Sequence, residues 1–147
     1  MPAKYTISLK KIIDEFRLGV LYLPESAEKI MISTPDLDRP GLALSGFYDI
    51  FNPDRLQVIG KAEHTYLGNL SETERREKLE MFYSKKPQAV IVTSDIEVFS
   101  EARVLAEENG VALLTTSLRT SHLMANMITW LNVQLAPRVT RHGGFIE

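Results

Sequence analysis

The stretch Ala89-Val90-Ile91-Val92-Thr93-Ser94-Asp95-Ile96-Glu97, closed by Asn109-Gly110 and followed by Val111-Ala112-Leu113-Leu114-Thr115, decides the fold. Ala89 to Val92 is a continuous apolar run, the pattern of a strand covered on both faces. Ser94 and Glu97 have capping-box spacing, which predicts a helix from there to Asn109 with Val98, Ala102, Leu105 and Ala106 inward. Gly110 ends it, and Val111 to Thr115 reads as a second buried strand. Thr116, Ser117 or both cap a last helix over Leu118 to Leu135, with Leu123, Met127, Trp130, Leu131 and Leu135 on one stripe. Strand, helix, strand, helix predicts an α/β fold: a single domain whose mixed or mostly parallel central sheet carries helices on both faces.

Working back, Ser71-Glu72-Thr73-Glu74 has the same capping spacing and opens a helix that Pro87 stops. Leu56-Gln57-Val58-Ile59 reads as a strand ending in a bend at Gly60. Before it come the turn Asn52-Pro53-Asp54 and the apolar piece Leu42 to Phe47, and before those Pro40-Gly41, a turn in which Gly41 can take positive φ. Lys29 to Thr34 and Val20 to Leu23 are strand candidates. Ser8 to Phe16 is a short amphipathic helix ended by Gly19.

Composition bounds the function. A chain of 147 residues, 44% apolar and 24% charged, suits one globular domain. Net charge −2 gives no basic footprint for nucleic acid or membrane. There is no cysteine, hence no disulfide or thiolate metal site. Neither a signal sequence nor an apolar run of spanning length is visible, so a cytoplasmic location is expected. Gly60-Lys61 fails as a phosphate loop, because Arg55 and Ala62 stand where Gly and Ser or Thr are needed. Ser8-Leu9-Lys10-Lys11 fits S-x-x-K but reads as a helix start. His64, His122 and His142 lack ligand spacing, so no metal is expected. His64 reads as a loop or cap residue and His122 as a structural one.

The order and spacing of several segments resemble the N-terminal domain of the bacterial HPr kinase/phosphorylases. They are Arg39-Pro40-Gly41-Leu42 with Gly46-Phe47, Asp54 to Gly60, Ala89 to Thr93, Leu113 to Ser117 and Arg141-His142-Gly143. The resemblance implies an accessory or regulatory domain over 1–137, with 138–147 opening the connection to a C-terminal kinase domain. It implies that the intact enzyme uses ATP or pyrophosphate with magnesium to phosphorylate a serine of the phosphocarrier protein HPr. That enzyme also removes the phosphate by phosphorolysis and so controls carbon-source use. By the same resemblance His142 belongs to the kinase active site, although Gly144 departs from the family pattern. No cofactor is expected in this segment itself; its partners would be the kinase domain and HPr, with self-assembly left open. A free-standing ligand-sensing module, similar to those fused to phosphate acetyltransferases, is the alternative, and a small independent enzyme a third.

Parallel sheets open a crevice at the carboxyl ends of their strands, and helix starts there favour anions. This makes Arg39, Gly41, Thr93, Ser94, Thr116 and Ser117 candidate ligand residues, with Arg119 a further source of charge. The competing account makes the hydroxyls helix caps and ties Arg39 to Asp36 or Asp38.

Overall fold

The computed structural model describes residues 5–137. Five strands form the central sheet: β2 (Gly19–Tyr22), β4 (Leu37–Asp38), β5 (Leu56–Ile59), β6 (Ala89–Val92) and β7 (Ala112–Thr115), in the order β2-β7-β6-β5-β4. β4 to β7 run parallel and β2 is antiparallel to β7. A separate two-stranded antiparallel ribbon joins β1 (Ile7–Ser8) to β3 (Met31–Ile32). The helices are α1 (Leu9–Phe16), α2 (Gly41–Leu44), α3 (Lys61–Gly68), α4 (Glu72–Ser84), α5 (Ser100–Asn109) and α6 (Thr120–Leu135).

Side-chain alternation along the strands splits the core in two. Leu56, Val58, Ala89, Ile91, Ala112 and Leu114 face α1 and α6, where Leu9, Ile12, Leu123, Met127 and Leu131 are buried. Ile59, Val90, Val92 and Leu113 face the other layer, meeting Leu67, Leu79, Phe82, Ala102 and Leu105. The sheet is therefore covered on both faces, as the apolar runs require. Ser8 and Ser71 are side-chain caps, their Oγ atoms accepting from the amides of Lys11 (3.1 Å) and Glu74 (3.2 Å).

Local readings gave way where long-range contacts decide. Gly41 does not make a positive-φ turn: it opens the one-turn helix α2, and the left-handed residue is Gly46 (φ 114°). Helix α1 ends on left-handed Arg17, leaving Gly19 to begin β2. Lys29 to Thr34 yields only the two residues of β3, and Lys29 instead closes a 3₁₀ turn over Glu25–Lys29. Helix α3 was not expected. No helix starts at Ser94: Ser94 and Asp95 both sit in the left-handed region (φ 60° and 54°), and α5 begins at Ser100. Their amides donate across to the carbonyls of Leu118 and Thr116, which holds the β6–α5 loop against the loop after β7. Helix α6 starts at Thr120, so neither Thr116 nor Ser117 caps it; Thr116 Oγ1 accepts from the Leu118 amide instead.

Candidate functional site

Gly60, Thr93 and Thr116 directly follow the strands β5, β6 and β7, and the connections they open diverge. Those from β5 and β6 lead to helices on one face; the one from β7 leads to α6 on the other. Such a change of side opens a crevice at the carboxyl ends of adjacent parallel strands. A cleft of about 580 Å³ lies there. Its lining supplies three cations, Arg39, Lys61 and Arg119, and four hydroxyls, Ser94, Ser117, Thr120 and Ser121. Among the described residues no carboxylate lines it. The amino end of α6 opens onto it through Thr120 and Ser121, and among the described residues no side chain caps that end, which leaves first-turn amides for an anion.

The back of the cleft is held by a polar network. Thr93 is fully buried; its Oγ1 donates to Ile59 O (3.3 Å) and lies 2.6 Å from Thr120 Oγ1, joining β6 to the first residue of α6. Arg39 is clamped by Glu63 of α3, Nε donating to Oε2 (3.1 Å) and Nη2 to Oε1 (2.8 Å). Glu63 is buried, and the same Oε1 accepts from the Gly60 amide at 2.9 Å. A buried carboxylate with three donors is satisfied and holds the cation beside the strand end. Gly60 is needed for close approach rather than for φ: a Cβ there would collide with Thr120 Oγ1 and come within 3.0 Å of Arg39 Nη2.

The candidates therefore divide. Arg39, Ser94 and Ser117 line the cleft; Thr93 supports it from beneath; Thr116 shapes the β7 loop, and Gly41 lies outside the lining, 3.9 Å (from the place of a Cβ) from Glu63 Oε2. His142 and the segment 138–147 lie outside the described residues. The pairing of Arg39 with Asp36 or Asp38 is corrected: those carboxylates pair with Arg55 at 3.6 and 2.9 Å, while Arg39 takes Glu63. Lys61, Thr120 and Ser121 were missed; Lys61 follows the strand-ending Gly60 directly, a position that could have flagged it. His64 is not in a loop: within α3 its ring stacks on Phe99 with centroids 4.4 Å apart. Burial and the charge of Arg75, whose guanidinium lies 4.6 Å from the Phe99 ring centre, hold its pKa below the ordinary value. Among the described residues no cluster of His, Asp and Glu could hold a metal ion, and no helix is long and apolar enough to cross a membrane.

Comparison with known proteins agrees with the sequence resemblance. The family described as the HPr serine kinase N terminus matches residues 7–131. The HPr kinase/phosphorylase of Lachnoclostridium phytofermentans is 34% identical over 143 residues, covering 97% of this chain and 46% of the relative. Those of Streptococcus thermophilus and Caldicellulosiruptor bescii are 36% and 38% identical, covering 97% and 93% of this chain and 46% and 44% of theirs. A solved structure with the same fold contains the CBS and DRTGG domains of the regulatory region of Clostridium perfringens pyrophosphatase, complexed with the activator diadenosine tetraphosphate. It superposes with a TM-score of 0.57 at 16% identity, over 82% of this chain and 45% of that one. The chain belongs to the family of HPr serine kinase N-terminal domains, and it spans about half the length of the curated relatives it matches.

Proposed function

We propose that this member of the HPr serine kinase N-terminal family is the accessory, ligand-sensing part of an HPr kinase/phosphorylase, and that its ligand is a phosphorylated or carboxylated metabolite held in the strand-end cleft. The observation that carries the reading is the lining itself: three cations and four hydroxyls with no carboxylate among the described lining residues. Glu63 neutralises much of Arg39, so Lys61 and Arg119, both exposed, supply the attraction. Arg39 contributes a fixed wall. Hydroxyls and first-turn amides of α6 then complete the coordination of an oxyanion.

On this reading the chemistry belongs to a kinase half. That half would use ATP or pyrophosphate with magnesium, would take HPr as its substrate, and would recruit His142 to its active site. Nothing in the chain replaces a phosphate loop, so pure chain given HPr, ATP and magnesium should leave HPr unphosphorylated. Calorimetric titration with inorganic phosphate, pyrophosphate and ribose 5-phosphate tests the sensing role. Binding of at least one, weakened about tenfold or more by Lys61→Ala with Arg119→Ala and by added salt, is expected. Absence of binding by all three to the parent chain would overturn it.

A further inference from the structure

Arg39 lines a second cavity besides the cleft. This one, about 280 Å³, lies between α2 and the β4–β5 edge of the sheet. It is the more apolar of the two, although Asp38, Arg39, Arg55 and Gln57 also line it. Leu42, Phe47 and Ile50 stand around it with 57, 46 and 68% of their surface exposed, and Phe51 adds a second aromatic ring. Large apolar side chains ringing one concavity suit the apolar body of a ligand.

Two polar groups on the lining lack partners among the described residues. Gln57 is fully buried; its Nε2 donates to the carbonyls of Asn52 (3.3 Å) and Arg55 (3.2 Å), which fixes the orientation of the amide. Its Oε1 then has no donor among the described residues. Arg55 reaches Asp38 and Asp36 through its two terminal nitrogens, and its buried Nε has no acceptor among the described residues. A buried acceptor and a buried donor left open beside the same cavity cost stability in the empty protein.

We propose that the two cavities, which share Arg39, form one site for a nucleoside phosphate. The phosphate takes the cationic cleft. The base takes the cavity of Leu42, Phe47 and Ile50, where an N–H of its edge serves Gln57 Oε1 and a ring nitrogen or carbonyl serves Arg55 Nε. A flat ring suits the aromatic and aliphatic wall, which a sugar phosphate could not use, and a heterocycle edge carries donor and acceptor side by side. The inference rests on the cleft being an anion site, and it names the body attached to that anion.

Calorimetry with AMP, GMP, UMP and CMP, against ribose 5-phosphate, phenyl phosphate and inorganic phosphate, separates the two claims. At least one nucleotide should bind about tenfold tighter than ribose 5-phosphate and also tighter than phenyl phosphate. Phe47→Ala and Ile50→Ala, both at exposed positions, should remove most of that advantage and leave the affinity for inorganic phosphate unchanged. Gln57→Leu should do the same, provided circular dichroism shows the fold intact. Arg119→Ala should weaken every phosphate-bearing probe. If inorganic phosphate binds and no nucleotide binds tighter than ribose 5-phosphate, the second cavity plays no part and the anion reading alone survives. A nucleotide advantage untouched by Phe47→Ala and Ile50→Ala would also overturn the proposal. If no probe binds, both readings fall.

Discussion

At their centres β5, β6 and β7 present apolar side chains to both layers of helices: Val58 and Ile91 on one side, Val90 and Leu113 on the other, all fully buried. Two or three residues further along, the chain reaches Gly60, Thr93 and Thr116, and everything changes. The rim is small or hydroxylated, one of its turns is left-handed, and its order comes from a few contacts between residues far apart in sequence, such as Arg39 with Glu63 and Thr93 with Thr120. The centre derives its stability from area removed from water, which is insensitive to detail provided volume and polarity are kept. The rim depends on individual partners and on one missing Cβ. Two of its cations, Lys61 and Arg119, are exposed, while the third, Arg39, is fixed by Glu63.

The contrast can be broken most severely from the centre. Val90→Asp should cost roughly 4 kcal/mol or more, because its carboxylate would lie unpaired between β6 and the α4–α5 layer. Chemical denaturation should show a cooperative loss, or no folded protein at all; a midpoint near the parent's would mean the strand is not where it is described. At the rim, Arg39→Ala leaves the Glu63 carboxylate buried with only the Gly60 amide, and should cost about 2–3 kcal/mol, less than a fully enclosed pair because Arg39 is partly exposed. Arg39→Lys should recover only part of this, since it cannot make the two parallel bonds.

Gly60→Ala asks whether close approach alone matters there. Its backbone is extended and tolerates any residue, so the expected loss of about 1–3 kcal/mol comes from displacing Thr120 and Arg39. Unchanged stability in a thermal melt would show that the rim has slack. The smallest effect is a pH dependence. His64 is held below its ordinary value of 6.5, chiefly by burial and then by Arg75, with Glu97 opposing. As pH falls the unfolded chain therefore takes up the proton first. The neutral ring's contribution is complete above about 6.5 and is lost as pH drops towards the lower folded value. His64→Phe, which keeps the stack on Phe99, should flatten the decline in melting temperature between about pH 7 and 5.5; an identical decline in both proteins would assign it elsewhere.

The centre was legible because burial writes itself into consecutive residues. Ala89 to Val92 and Val111 to Thr115 announce covered strands, and Leu123, Met127 and Leu131 repeat at helical spacing. The caps at Ser8 and Ser71 were legible for the same reason, since a side chain bonding three residues on is a local event. At the rim the same rule misled. Ser94 and Glu97 have capping spacing, yet the amides of Ser94 and Asp95 are claimed by Leu118 and Thr116, more than twenty positions away. Helix α3 escaped notice because it opens on Gly60 and turns a carboxylate, Glu63, inward where an apolar residue is the usual signal. Gly60 and Glu63 do stand three apart, and the Glu63 carboxylate accepting the Gly60 amide is half of a capping box, the one local sign of that helix. Arg39, Ser94 and Ser117 were placed near the crevice by the strand-end rule; that Lys61, Thr120 and Ser121 join them follows from where α3 and α6 begin.

The central claim is that the rim, and not the centre, receives an anion. The most direct measurement is a titration of the isotope-labelled chain with inorganic phosphate, followed by amide resonances. The account predicts saturable shifts concentrated on Lys61, Ser94, Ser117, Arg119, Thr120 and Ser121, lost in Lys61→Ala with Arg119→Ala, while Val58, Val90 and Leu113 stay still. Shifts scattered over the surface, or none at those residues at saturating phosphate, would contradict it.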